Sequence, residues 1–117
     1  MTFAVQFIFT PGEYDEEFHT LDQAIDEFAH AHPGFIGSDK WQSADGTRQN
    51  SIYYWKDRES LGEFSRYPQH LEAKANYRRW YESFQVVISE VTAHYGDGGQ
   101  EHPLRTPAAP GTSEAEV

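Results

Sequence analysis

Cysteine is absent from this 117-residue chain. That removes disulfide bonds, thiolate nucleophiles and Cys-ligated metal together, and it fits a cytoplasmic setting. Basic residues are scarce: nine Lys and Arg stand against nineteen Asp and Glu, for a formal net charge of −10. Phosphate recognition needs a cationic surface that displaces counterions, so this balance argues against nucleic acid and against anionic lipid. No apolar run approaches the roughly 20 residues that cross a bilayer, and the N-terminus lacks the basic start and apolar stretch of a signal peptide. Gly-rich phosphate loops, nucleophile elbows and internal repeats are missing as well.

Aromatic residues are abundant instead. Three Trp, seven Tyr and eight Phe make up 15% of the chain, more than one small domain requires. Surplus rings serve core packing, an interface, or a pocket for a flat apolar ligand. The length leaves room for a single domain.

The pattern predicts the order β-α-β-β-α-β. Phe3 to Thr10 reads as a strand that Pro11-Gly12 ends. Between Asp15 and Ala31, Phe18, Leu21, Ile25 and Phe28 recur at helical spacing, with Glu16, Asp22, Asp26 and Glu27 assigned to the solvated face. Pro33-Gly34 stops that helix. Phe35–Ser43 and Arg48–Trp55 read as a hairpin around Asp45-Gly46. A second helical region starts at the N-cap candidate Asp57 and carries Leu61 and Phe64 inward. It is interrupted at Pro68, and it resumes from Gln69 to Trp80 or Tyr81. Phe84–Tyr95 is the last strand. The domain is therefore expected over residues 1–95, followed by a flexible C-terminal tail over 96–117 of Gly, Pro, Ala and Glu without periodicity.

The strands are apolar on both faces. Phe3, Val5, Phe7 and Phe9 oppose Ala4 and Ile8, and Val86 and Ile88 oppose Val87 and Val91. One set of helices covers one face of a sheet, so the other face needs a second cover. A second copy of the chain is the simplest source, and a homodimer through the sheet face is expected.

Candidate chemistry concentrates in Pro68–Tyr77. On a continuous helix His70, Lys74, Tyr77 and Tyr81 share a stripe. His70 is the candidate proton acceptor, and Lys74 or Tyr77 the group that holds a developing oxyanion. Trp55, with Tyr53 on the same strand face and Phe64 from the following helix, is expected to wall a substrate pocket. His30 and His32 form an HxH pair with no third ligand at a recognisable spacing, so no metal site is expected.

These residues resemble the antibiotic biosynthesis monooxygenase (ABM) domain family of dimeric α+β barrels. The resemblance is carried by Phe7–Gly12, Pro33-Gly34-Phe35-Ile36-Gly37, Tyr53–Leu61 and His70–Lys74, and covers roughly residues 3–95. It implies a ferredoxin-like α+β protomer whose sheet packs on its partner's. For activity, it implies a cofactor-independent monooxygenase acting on a small aromatic or quinol compound, in which the deprotonated substrate itself donates the electron to O₂. Trp55 matches the strand-end Trp of such members, whereas the Asn they carry four residues earlier is Ser51 here. Other members degrade haem through an Asn, a Trp and an iron-binding His; Phe7, Phe64 and Lys74 occupy those positions, which disfavours haem. The alternative implied by the family is a haem- or small-molecule-binding barrel without turnover.

Overall fold

The computed structural model describes residues 1–105. Its elements are β1 (Thr2–Pro11), α1 (Glu16–Ala31), β2 (Phe35–Gln42), β3 (Gln49–Trp55), α2 (Arg58–Ser65), α3 (Pro68–Ala75), a single turn α4 (Tyr77–Trp80) and β4 (Tyr81–Val91). The strands form one antiparallel sheet in the order β2-β3-β1-β4. That is the ferredoxin-like α+β arrangement the sequence predicts, with the first and last strands side by side.

Local chemistry sets the element ends. Asp15 Oδ1 accepts the Phe18 amide at 2.8 Å and caps α1, while Asp57 Oδ1 accepts the Ser60 amide at 2.7 Å and caps α2. Pro68 opens α3 where its missing N–H costs nothing. In the β2–β3 hairpin Asp45 Oδ1 accepts from Ser43 Oγ and from the amide and hydroxyl of Thr47, and Gly46 takes φ +75°. These hydrogen bonds hold the Asp45 carboxyl down at about 2.

Two expectations require correction. The helix predicted over Gln69–Trp80 is divided at Asn76, whose side-chain Nδ2 donates back to the Glu72 carbonyl at 2.8 Å. A short amide bonding its own backbone competes with helix continuation. The last strand begins at Tyr81 rather than Phe84 and ends at Val91 rather than Tyr95.

Helices cover one face of the sheet. Phe3, Ala29, Trp55, Leu61 and Phe64 form the buried core, and Val5, Ile25, Phe28, Phe35 and Tyr53 pack against it. β1 and β3 lie at the sheet centre, so their odd-numbered side chains supply the floor under α1 and α2. A second tie closes the base of this layer. The Trp80 indole N–H donates to Asp15 Oδ1 at 3.0 Å, and Arg79 bonds both Asp15 and Glu17.

The opposite face is partly covered by the chain itself. His102 packs edge-on against Tyr54 with a Tyr54 Oη–His102 Nε2 contact of 3.2 Å, and His94 stacks on His102. Pro103 sits over Gly37. Tyr54 and its cross-strand neighbour Ala4 are both buried on this face. Residues 96–105, part of the expected tail, thus include a turn seated on the sheet, while 106–117 lie outside the described residues. Trp41, Val86, Val87 and Ile88 are exposed. No described helix is long and apolar enough to cross a membrane.

Candidate functional site

The side chains read from the sequence as pocket walls meet around Phe64. Its ring centroid lies 4.9 Å from that of Trp55, 5.8 Å from Tyr53 and 4.6 Å from His70. β3 brings Tyr53 and Trp55 to the helix side of the sheet, α2 drops Phe64 onto them, and α3 lays His70 over Phe64. Within this aromatic cluster two buried polar atoms have no protein partner: Trp55 Nε1 and His70 Nδ1. A buried polar atom left unpaired costs about 1–3 kcal/mol, so such atoms are uncommon and point to a ligand, a water or strain.

Burial, and then the Lys74 charge, push the His70 imidazole down to about 4, against the opposing pull of a bond to the Ser65 carbonyl. The ring is therefore neutral at physiological pH, with its Nδ1 unbonded. Lys74 is exposed one turn further on, its Nζ 3.4 Å from the same Ser65 carbonyl. Tyr77 stands apart. It lies on α4 beyond the Asn76 break, its ring 4.8 Å from Phe84 of β4, and Tyr81 is the first residue of β4. The four-residue stripe expected on one helix is therefore split between three elements.

Trp80 is buried and spends its N–H on Asp15, which makes it a structural tie. The HxH pair is similarly committed. His30 Nδ1 contacts the Asp26 carbonyl at 2.8 Å, whereas His32 bonds Glu63 through Nε2 and accepts the Gly34 amide at Nδ1. A groove of about 460 Å³ lies over Gly12, Arg78, Arg79 and Tyr81, but it is open, and Arg79 is already paired with Asp15 and Glu17.

A second aromatic group, unanticipated from the sequence, gathers on β1 and the start of β4 beside the first turn of α1. Phe7 and Phe9 stack at 4.8 Å, with the Tyr81 ring 5.2 and 5.1 Å from them. Tyr14 stacks on Phe18 at 3.9 Å, and both rings approach Tyr81. The charge of Asp22 is felt by Tyr14, Tyr53 and Tyr81 alike. Burial first, then Asp22 and Asp26, push the Tyr53 hydroxyl up to about 12; burial, Tyr14 and Asp22 also raise Tyr81. Although the Asp22 residue is exposed, the surrounding side chains dehydrate its carboxyl enough to raise it, against the pull of Lys40. The periodicity does contain this signal. At about 100° per residue Asp22 lies only about 40° from Phe18 around α1, on the border of the apolar stripe.

The fold and this aromatic site define an ABM-type α+β domain. The chain belongs to the monooxygenase af470-like family, whose sequence model matches residues 4–94. Among solved structures it resembles Rv0793 from Mycobacterium tuberculosis, with a TM-score of 0.67 and 20% identity over 82% of this chain and 100% of that one. SnoaB, a cofactor-independent oxygenase from Streptomyces nogalater, gives a TM-score of 0.62 at 16% identity over 80% of this chain and 95% of its own. A Nitrosomonas europaea protein assigned as an antibiotic biosynthesis monooxygenase gives 0.57 at 21% identity, covering 80% and 94%. At these identities the likeness establishes the shared fold. No curated protein sequence matches the chain.

Proposed function

We propose that this protein is a cofactor-independent monooxygenase that oxidises a small aromatic or quinol compound and works as a homodimer in the cytoplasm. The observation that carries the reading is the pair of unpartnered buried polar atoms, Trp55 Nε1 and His70 Nδ1, set in the Tyr53–Phe64 aromatic cluster. Conversion of a phenol to a quinone balances with O₂ alone. One oxygen atom enters the ring, the hydroxyl hydrogen and one ring hydrogen leave, and the second oxygen departs with them as water. The protein must hold the ring, exclude water and accept a proton.

His70, neutral and with Nδ1 unspent, is the proton acceptor in this reading. Lys74, one turn along α3, supplies charge for the oxyanion, whereas Tyr77, set against Phe84 of β4, takes no part in this reading. Trp55, Phe64 and Tyr53 hold the ring. The homodimer is supported by β4, where Val86 is 49%, Val87 42% and Ile88 56% exposed in the isolated chain. The test is oxygen uptake with 1-naphthol or a naphthoquinol, followed with an electrode. Wild type is expected to consume O₂ in step with quinone formation and His70→Ala to lose most of that rate; no uptake with either compound would remove the oxygenase reading.

A further inference from the structure

The two edges of the sheet are finished differently. β2 closes one edge with a register shift between Phe35 and Gly37, charges at Asp39 and Lys40, and Pro103 seated over Gly37. Bulges, charges and covering segments are the devices that keep an edge strand from pairing with another chain. β4 closes the other edge with 11 residues, and its register with β1 is unbroken from Ser83 to Val91. The strand contains no Pro, Gly, Lys or Arg, and among the described residues no strand pairs with its outer side. Every residue from Glu82 to Glu90 is exposed, on both faces.

Apolar side chains occupy the middle of this open edge. Phe84, Val86 and Ile88 lie opposite Phe9, Phe7 and Val5 on the helix side, and Val87 lies opposite Gln6 on the other face. The outer backbone N–H and C=O groups of such a strand are matched by a further strand. We infer that this strand is β4 of a second copy, paired antiparallel about a two-fold axis through Val87. In that register β4 is complementary to itself. Val87 meets Val87, and Val86 of one copy meets Ile88 of the other, so apolar side chains adjoin on both faces. Glu90 falls opposite Phe84, and Glu82 opposite Thr92, which keeps the acids of the two copies apart. An axis through Val86 would set Glu82 against Glu90 at both ends, an unfavourable contact between chains of net charge −10.

This inference rests on the homodimer of the proposed function and names the strand through which the copies join. The chain has no cysteine, so introduced thiols report on one contact at a time. Val86→Cys and Ile88→Cys are produced as full chains, one with an affinity tag, separately and by co-expression, and are then oxidised. Both positions are exposed, and wild-type circular dichroism is expected of each variant. Across the Val87 axis positions 86 and 88 face each other about 4.5–5.5 Å apart at Cα, a span that a disulfide bridges. Like positions are diagonal, about 7–8 Å apart, at the limit of its reach. The co-expressed pair should link up to about half of its chains, the share that random pairing allows, and each variant alone at least about fivefold less.

The wild-type mass is read by light scattering alongside. Twice the chain mass without an excess of linked product in the co-expressed pair overturns the inference, while the homodimer stands on another surface. Equal linking in all three samples also overturns it, because the Val87 register forbids that result. A single-chain mass with no linked product removes the inference and the homodimer together.

Discussion

The His70 imidazole packs on the Phe64 ring with centroids 4.6 Å apart and buries an unpartnered Nδ1 there. This contact has a consequence for stability. The ordinary imidazole value is 6.5 and the folded value is about 4, so the unfolded chain takes up this proton first as pH falls. Its contribution to stability is present above 6.5 and is lost progressively between about 6.5 and 4. Melting temperatures read by circular dichroism should fall across that window in wild type and fall less steeply in His70→Phe. Parallel slopes in the two proteins would show that another group controls the acid limb.

Phe64 anchors both the core and the site, and it is buried against Trp55 and Tyr53. Truncation to Ala leaves a cavity as well as lost burial and should destabilise the fold by about 3–5 kcal/mol in urea unfolding. Phe64→Leu fills most of that volume and should cost less than half as much. Equal losses for the two substitutions would mean that the cluster tolerates a cavity by collapsing.

Gly34 is buried where α1 turns into β2, and a Cβ there would overlap both Oγ and Cβ of Ser60. Gly34→Ala should therefore lower the melting temperature sharply. Ser60→Ala removes the hydroxyl and leaves the Cβ overlap, so the double substitution should recover only part of the loss. Ser60→Gly in the same background should recover more, apart from its own helix cost of about 1 kcal/mol. Full rescue by Ser60→Ala would place the conflict at the hydroxyl alone.

β4 tests the association of copies. Val87 is 42% exposed on the face of β4 turned away from the helices. Light scattering at micromolar concentration should give twice the chain mass for wild type and the single-chain mass for Val87→Asp, with unchanged circular dichroism. A wild type that already has the single-chain mass removes the homodimer.

Strand order and most helix boundaries were legible in the sequence, because residues such as Phe18, Leu21, Ile25 and Phe28 repeat at helical spacing and Asp57, Pro68 and Asp45-Gly46 punctuate the chain. The contact of Tyr53 and Trp55 with Phe64 was legible for a related reason. Tyr53 and Trp55 share a strand face, and Phe64 follows at the inward spacing of a helix. The continuous His70–Tyr81 stripe was not, since a helix break at Asn76 depends on a local side-chain bond to the Glu72 carbonyl rather than on hydropathy. Asp22 was read as solvated, and its residue is exposed; the partial dehydration of its carboxyl and the pull of Lys40 from β2 were not legible, because β2 lies outside any local window.

Pro103 lies so close over Gly37 that a methyl group on that glycine would come 2.8 Å from the proline Cβ, and His102 beside it rests on Tyr54. A protein approaching this face over Tyr54 and Gly37 would meet His102 and Pro103 before those strand residues. Strand pairs near Tyr54 are thereby shielded by a side-chain layer that the domain itself provides. A side chain at position 37 would push Pro103 off the sheet and uncover that layer, with the helix-side core untouched.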